Sequence, residues 1–358
     1  MTVTGTGNAP DVVDVVALGE SMVTFLPTRP GRLADVPSFD RAIGGAESNV
    51  ACVLAAAGHS TRWVSRVGAD GFGDHLAEAI GAYGVDVSYV PRDPDRPTGV
   101  YFRTAGDRAD DTHEVAYYRA GSAASAMSPA GVDLDAVRAG RVLHLSGITA
   151  ALSPDCLALM RELTAPRPGR PLVSFDVNHR PGLWGEGQNP DVLLELARRA
   201  DIVFVGEDEA RQAWGLHGAR AVREAVPEPG IVVVKQGKGG AVAFDKDTDG
   251  LLCEDADGTA TFVRALHVDV VAAVGAGDAF AAGFLSATLR GLPVRDRLRH
   301  GHLTAAATLT APGDLAPPPP RPLADRLAAL DAPAWGRLRL GPGWTDADAE
   351  AAEEARTR

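Results

Sequence analysis

The chain has 358 residues, of which 45% are hydrophobic and 23% are charged, so it is long enough to bury a substantial core in one large domain or two ordinary ones. This composition excludes a chain that is disordered throughout and a small disulfide scaffold. The 35 basic and 47 acidic residues give a net charge of −12. Such a surface repels nucleic acid and anionic membranes, so we expect neither as a partner.

The three cysteines, Cys52, Cys156 and Cys253, lie far apart in the sequence and form no C-x-x-C motif or metal-ligand spacing. We therefore expect reduced, mostly buried thiols. No run approaches the roughly 18 consecutive apolar residues of a membrane span, and Met1 to Pro10 lacks the basic-then-apolar pattern of a signal peptide. These features predict a cytoplasmic protein.

Short apolar runs rich in β-branched residues alternate along the chain with longer segments of helical period. The strand candidates are Val12 to Leu18, Thr61 to Val67, Arg141 to Leu145, Leu172 to Val177, Ile202 to Val205, Ile231 to Lys235 and Ala241 to Phe244. The helix candidates between them are Ser48 to Ala57, Gly73 to Tyr83, Pro154 to Leu163, Pro190 to Ala200 and Glu207 to Trp214. This alternation predicts an α/β fold, a three-layer sandwich whose central, mostly parallel sheet carries helices on both faces.

Two segments at about 22–39 and 98–118 interrupt this pattern, because they alternate apolar and polar residues and have no helix between strands. We interpret them as antiparallel strands of a small sheet that projects as a lid over one large domain, residues 11–315. The unpaired edges of such a sheet favour a homo-oligomer.

After Asp278 the chain becomes alanine-rich, and the pattern predicts helices at Ala279 to Arg290 and Arg295 to Leu309. Residues 316–358 are interpreted as a Pro-rich and acidic extension, since Pro317 to Pro320 interrupts the pattern. The end of the chain, from Trp344 to Arg358, is expected to be frayed or disordered.

The segment Gly275-Ala276-Gly277-Asp278 follows an apolar stretch and opens an alanine-rich helix. Two glycines allow a tight turn that presents backbone N–H groups at a helix N-terminus, where the macrodipole favours an anion. An aspartate at that turn suits a general base that takes a proton from a hydroxyl attacking a phosphoryl group. On its own, the same aspartate also fits an ordinary helix N-cap.

Two further segments carry glycines at turns. In Gly44-Gly45-Ala46-Glu47-Ser48-Asn49, a glycine pair leads into a helix, and Asn49 can donate to and accept from a sugar hydroxyl. Lys235-x-Gly237-x-x-Gly240 is typical of a tight hairpin between two strands.

These segments, in this order, resemble the ribokinase (PfkB-type) family of ATP-dependent carbohydrate kinases from about Val13 to about Pro312. The resemblance implies that Asp278 is the catalytic base and that the amides of Gly275, Ala276 and Gly277 form an anion hole. It implies a ribokinase-like fold with ATP and Mg²⁺ as cofactors. The residues expected at the nucleotide and its metal are Asn178, Arg180, Lys235, Gly237, Gly240, Gly275, Ala276 and Gly277, with Glu209 orienting Mg²⁺ through water.

Within the family, motifs such as Gly19-Glu20, Tyr117-Tyr118-Arg119 and Asp176-Val177-Asn178-His179-Arg180 resemble the branch that phosphorylates 2-keto-3-deoxygluconate. A sugar acid carries a carboxylate, which a planar guanidinium binds in a bidentate way, so Arg119 and Arg180 are the expected carboxylate clamp. The full set expected at the sugar is Gly45, Ala46, Glu47, Ser48, Asn49, Tyr101, Tyr117, Arg119, Arg180, Asp278 and Asp314.

The chain departs from the family pattern at three positions. Ala272 and Ala273 replace the usual Asp-Thr before the anion-hole glycine, which puts activation by a monovalent cation in doubt, and Gly206 replaces a common Asn. These losses leave two alternatives open: a kinase for a neutral sugar such as fructose or ribose, and a sugar-acid-binding protein with weakened catalysis.

Overall fold

The computed structural model describes residues 10–29, 31–104, 114–184, 189–246 and 260–346. The strands in chain order are β1 (Val13–Leu18), β2 (Met22–Pro27), β3 (Phe39–Gly44), β4 (Thr61–Val64), β5 (Val67–Gly68), β6 (Arg92–Asp93), β7 (Val100–Arg103), β8 (Val115–Tyr118), β9 (Gly140–Ser146), β10 (Leu172–Asp176), β11 (Ile202–Gly206), β12 (Ile231–Lys235), β13 (Gly240–Asp245), β14 (Ala260–Arg264), β15 (His267–Val268) and β16 (Arg339–Leu340). The helices are α1 (Ala46–Ala56), α2 (Gly71–Gly81), α3 (Leu134–Arg138), α4 (Gly147–Leu152), α5 (Pro154–Thr164), α6 (Asp191–Arg198), α7 (Glu207–Trp214), α8 (Ala219–Ala225), α9 (Ala276–Leu289), α10 (Val294–Leu309), α11 (Arg321–Ala328) and α12 (Ala332–Arg337).

The main sheet has eight strands in the order β14-β13-β12-β11-β10-β9-β1-β4. All neighbouring strands in the run β12-β11-β10-β9-β1-β4 pair in parallel, and β13 and β14 add an antiparallel edge. The turn between β12 and β13 is the predicted hairpin at Lys235-x-Gly237-x-x-Gly240. Because the parallel strands end at one edge of the sheet, the side chains that follow them are brought together there.

Both faces of the main sheet are covered, and strand β1 shows how. Val16 and Leu18 belong to a core cluster with residues of α5, α6, α7 and α8. Val15 faces the opposite side and packs in a second cluster with residues of α1, α9, α10 and α11. The alternation follows from the two-residue period of a strand, and it confirms the predicted three layers.

A separate sheet in the order β3-β2-β7-β8 forms the predicted lid. It consists of two antiparallel hairpins, but their inner strands β2 and β7 run parallel, so the expectation of purely antiparallel pairing was wrong. Turn residues act within one hairpin, whereas the pairing of two hairpins is decided by tertiary packing. Strand β3, Phe39–Gly44, begins at about the residue where the first predicted lid segment ends. The predicted lid residues 105–113 lie outside the described residues.

The described residues after 315, which were expected to form an extension, pack against the domain. Helices α11 and α12 pack on the face formed by α9 and α10, where Trp335 and Leu340 are buried. Strand β16 pairs with β15. The proline run Pro317 to Pro320, which interrupts the sequence pattern, leads directly into α11, whose first residue follows Pro320. The predicted frayed tail beyond residue 346 is not among the residues that the structure describes.

Cys52 and Cys156 are buried and free, as expected, whereas Cys253 falls in a segment that is not described. Within the described ranges, no helix has the length and apolar character needed to cross a membrane.

Candidate active site

The first turn of α9 forms one wall of the site. Gly275 precedes the helix with a φ of 79°, and a Cβ added there would lie 2.1 Å from the main-chain oxygen of Asp314. Only glycine satisfies both the left-handed backbone and the close contact. The first N–H groups of a helix have no intrahelical acceptor, and the macrodipole makes this end attractive to an anion. The amides of Gly275, Ala276 and Gly277 therefore lie where an anion hole is expected.

Asp278 lies inside the first turn of α9 and does not cap it, because the residue at the N-cap is Gly275. The capping interpretation that the sequence left open is therefore wrong. Asp278 Oδ2 instead accepts a hydrogen bond of 2.8 Å from Asn49 Nδ2, which belongs to the first turn of α1. The two predicted segments thus meet in space.

Burial raises the pKa of Asp278 to about 7, and the negative charge of Asp176 acts in the same direction. The hydrogen bond from Asn49 and the positive charges of Lys235 and Arg180 act against this rise. A carboxyl group that titrates near neutral pH can accept and release a proton under cellular conditions. The electrostatics of the site therefore suit general-base catalysis.

Lys235 and Asp176 form an ion pair where β12 and β10 end. Lys235 Nζ donates to Asp176 Oδ2 over 2.8 Å, and the amide N–H of Asn178 donates to Asp176 Oδ1 over 3.2 Å. Burial opposes the charge of Lys235, but the carboxylates around it, chiefly that of Asp176, raise the pKa of the ammonium above its usual value. A Cβ added to Gly277 would lie 3.5 Å from Lys235 Nζ. A fixed positive charge is thus held beside the turn before Asp278.

Arg180 and Glu209 form a second, more exposed ion pair. Arg180 Nη1 donates to Glu209 Oε1 over 3.3 Å, and about half of the arginine side chain, 51%, is exposed. Glu209 Oε2 also accepts a hydrogen bond from the amide N–H of Gly206 at the start of α7. Glu209 thus stabilises a helix end, and its role toward Mg²⁺ stays a prediction. In the described part of the chain, no three His, Cys, Asp or Glu side chains gather to hold a metal ion.

The lid contributes two tyrosines and an arginine. Tyr101 and Tyr117 lie opposite each other in the β7–β8 ladder, with ring centroids 5.5 Å apart, and Tyr101 is the buried one. Arg119 forms an ion pair with the buried Glu20, whose Oε1 also accepts a hydrogen bond from Ser122 Oγ. The guanidinium expected to bind a substrate carboxylate is therefore held by a carboxylate of the protein.

Asp314 has both carboxylate oxygens engaged by β7. Tyr101 Oη donates to Oδ2 over 2.8 Å, and Arg103 Nη2 donates to Oδ1. Sequence reasoning missed Arg103. The two-residue period of β7 places it on the same face as Tyr101, which is the signal that could have found it.

The segment before Asn49 divides into surface and interior. Gly45 and Ala46 are partly exposed, and a Cβ on Gly45 would lie 2.6 Å from the main-chain oxygen of Glu20. Glu47 is fully buried, and its Oε1 accepts hydrogen bonds from the hydroxyls of Ser146 and Thr149. Glu47 therefore lies beneath the site, and the structure gives no support for the expected contact of its side chain with the sugar.

Ser48 is likewise buried, and its hydroxyl donates to Ser21 Oγ over 3.0 Å in the interior. The structure gives its side chain no exposed surface with which to bind a sugar. The pattern of the motif does not reveal this, since the burial of Glu47, Ser48 and Asn49 depends on how α1 packs against the rest of the domain.

Comparisons with known proteins show the family of the chain. The family model described as "pfkB family carbohydrate kinase" matches residues 13–321. The 2-dehydro-3-deoxygluconokinase of Bacillus subtilis is 35% identical over 85% of this chain and 91% of its own, and that of Thermoproteus tenax is 32% identical over 90% and 96%. The crystal structure of 2-dehydro-3-deoxygluconokinase from Thermotoga maritima superposes with a TM-score of 0.77 at 24% identity, covering 90% of this chain and 100% of that one. The chain therefore belongs to the pfkB family of carbohydrate kinases.

Proposed function

We propose that the protein transfers the γ-phosphoryl group of ATP to the C6 hydroxyl of a 2-keto-3-deoxy sugar acid, with 2-keto-3-deoxygluconate as the substrate. The observation that carries the proposal is the position of Asp278, which faces Asn49 at the N-terminal turn of α9 with a pKa near 7. The names of the curated relatives support the choice of a sugar acid.

In the proposed reaction, Asp278 takes the proton of the C6 hydroxyl while the oxygen attacks the γ-phosphorus in line. The bond between that phosphorus and the bridging oxygen of ADP breaks, and the amides of Gly275, Ala276 and Gly277 stabilise the developing negative charge. Asn49 holds the carboxylate of Asp278 toward the substrate. Closure of the lid keeps water away from the phosphoryl group and so limits ATP hydrolysis.

ATP and Mg²⁺ fit the residues at the carboxyl ends of β10 and β12. Lys235 supplies a fixed ammonium there, and Asn178 has a buried Oδ1 with no hydrogen-bond partner among the described residues. Gly237 and Gly240 flank the hairpin turn along which the nucleotide would lie. Mg²⁺ would neutralise charge on the phosphates, with Glu209 holding its water. Ala272 and Ala273 offer no side-chain oxygen, so no monovalent cation enters the proposal.

The sugar carboxylate is assigned to Arg119 and Arg180. Both guanidiniums are paired with protein carboxylates, Glu20 and Glu209, and each retains further N–H donors because a guanidinium has five. The remaining N–H donors of Arg119, Arg180 and Lys235, together with the helix-terminal amides of α9, supply local hydrogen-bond donors for anions. The net charge of −12 is thus compatible with two anionic ligands.

We further place this activity in the cytoplasm and assign it to a homo-oligomer. The feature that supports a homo-oligomer is the lid sheet, whose outer strands β3 and β8 each have an unpaired edge within the described chain. Exposed apolar side chains on β8, those of Val115 and Tyr118, would be covered by a second subunit.

The proposal is tested by measuring ADP release and sugar binding together. With MgATP and 2-keto-3-deoxygluconate, ADP and a sugar 6-phosphate should form in equal amounts. Turnover of fructose or ribose alone would favour a neutral-sugar kinase. Calorimetric binding of the sugar acid without ADP release would instead favour a binding protein with weakened catalysis.

A further inference from the structure

Asp314 connects the lid sheet with the glycine turn in front of α9. Its side chain accepts hydrogen bonds from Tyr101 and Arg103, which both lie on β7. Its main-chain oxygen lies so close to Gly275 that an added Cβ there would approach it to 2.1 Å. A Cβ on Gly44 would likewise lie 2.2 Å from Tyr101 Oη. Asp314 thus contacts both the lid strand β7 and the glycine turn before α9.

The contact between Arg103 and Asp314 is sealed from water. Their side chains are 9% and 3% exposed. A buried ion pair adds little net stability, because desolvation of the two charges offsets their attraction, and a role in fixing geometry is the better explanation for it. The planar guanidinium sets the orientation of the carboxylate in a way that an ammonium cannot. Burial and the charge of Asp314 raise the pKa of Tyr101 far above its usual value, so its hydroxyl remains a donor.

We infer that Arg103 is a positioning residue that, through Asp314, holds lid strand β7 at a fixed position relative to the anion hole at Gly275. The inference rests on the proposed function. Each carboxylate oxygen of Asp314 accepts one hydrogen bond from β7 and can accept another, so the expected contact of Asp314 with the sugar stays a prediction. Because Tyr101 lines the sugar side of the lid and Gly275 the phosphoryl side, this link fixes the distance between the attacking hydroxyl and the phosphorus.

Two changes break the link in different ways. Arg103→Lys keeps the positive charge and removes the planar fork. The double change Arg103→Met with Asp314→Asn removes both charges, so no unpaired charge remains buried. The control is Arg62→Lys, because Arg62, on the edge strand β4, is also buried and pairs over 2.7 Å with the more exposed Asp86.

The first measurement compares kcat, ADP released and sugar phosphate formed at saturating substrate. Both Arg103 variants should lose about 10²-fold in kcat, as small displacements of reacting groups do. They should also release more ADP than sugar phosphate, because a loosened lid admits water. Arg62→Lys should lower the melting temperature, while kcat and the ratio of ADP to sugar phosphate stay at the wild-type level. Wild-type kcat with equal amounts of the two products in both Arg103 variants would overturn the inference.

The second measurement needs no substrate and separates this inference from the proposed function. Amide hydrogen exchange in the full chain should become faster in β7 and at the first hydrogen-bonded amides of α9, from Ala279 onward, in Arg103→Lys, and in neither segment in Arg62→Lys. Faster exchange in β7 alone would overturn the coupling. If the wild type phosphorylates only fructose, the proposed substrate fails, and the kinetic comparison is made with fructose. If no sugar reacts, the exchange experiment decides.

Discussion

Asn49 Nδ2 lies 2.8 Å from Asp278 Oδ2, although 229 residues separate the two in sequence. The bond joins the first turns of α1 and α9, which pack together on one face of the main sheet. The position of the proposed base is thus set by helix packing. Asn49 Oδ1 is buried and has no partner among the described residues, so it remains available to a sugar hydroxyl.

Replacing the proposed base should abolish most of the rate. Asp278→Asn keeps the shape of the side chain and removes its ability to accept a proton, so kcat should fall by about 10²- to 10⁴-fold. Sugar binding, measured by calorimetry, should change little. Asp133→Asn is the control, since Asp133 caps the remote helix α3. An Asp278→Asn enzyme with wild-type kcat would refute the assignment.

The pH dependence of kcat/KM should report the pKa of Asp278. Activity requires the carboxylate, so kcat/KM should rise with pH through about 7. In Asn49→Ala, a hydrogen bond to the charged form is lost, the pKa of Asp278 rises further, and the midpoint should move to higher pH. Asn189→Ala serves as the control, because Asn189 bonds Asp191 on the surface. An unchanged midpoint in Asn49→Ala would contradict the electrostatic account.

Loss of one arginine should weaken recognition of the sugar carboxylate without unfolding the protein. Arg180→Gln should raise KM for the sugar acid by about tenfold or more, since hydrogen bonds between charged groups contribute about 1.5–3 kcal/mol. The control is Arg161→Gln, whose side chain is 47% exposed and pairs with Glu195. Both variants should keep the wild-type melting temperature. An equal KM in the wild type and Arg180→Gln would remove Arg180 from the clamp.

Glu47 should affect stability and not substrate binding. Burial raises its pKa, so the folded state favours the neutral carboxyl, and the stability this provides is lost as the pH rises through the folded pKa. Glu47→Gln is neutral at every pH. The melting temperature of Glu47→Gln should therefore rise relative to that of the wild type as pH increases, while its KM for the sugar equals that of the wild type. Parallel melting curves, or a raised KM, would contradict this interpretation.

Most of the main sheet was predictable, because apolar runs such as Ile231 to Lys235 are long, β-branched and bounded by turn residues. The pairing of β2 with β7 was not, since it depends on how two hairpins meet. The C-terminal helices were missed for another reason. Pro317 to Pro320 interrupts the helical pattern in the sequence, and only the buried Trp335 shows that the chain returns to the core.

The site was predictable where a motif needs unusual backbone, as at Gly275, whose φ is 79°. The sequence could not show the partners of the arginines. Whether Arg119 meets a substrate or Glu20, and whether Asp314 meets Arg103, depends on contacts between segments far apart in the chain. Such contacts leave no local pattern.

The most direct test of the proposed activity is a competition assay. The purified enzyme is given limiting MgATP with equal concentrations of 2-keto-3-deoxygluconate, fructose and ribose. The phosphorylated products are then quantified by mass spectrometry. Their ratio measures the ratio of kcat/KM values, which is the specificity itself. The account predicts that the 6-phosphate of the sugar acid dominates. A mixture dominated by fructose or ribose phosphate would contradict it.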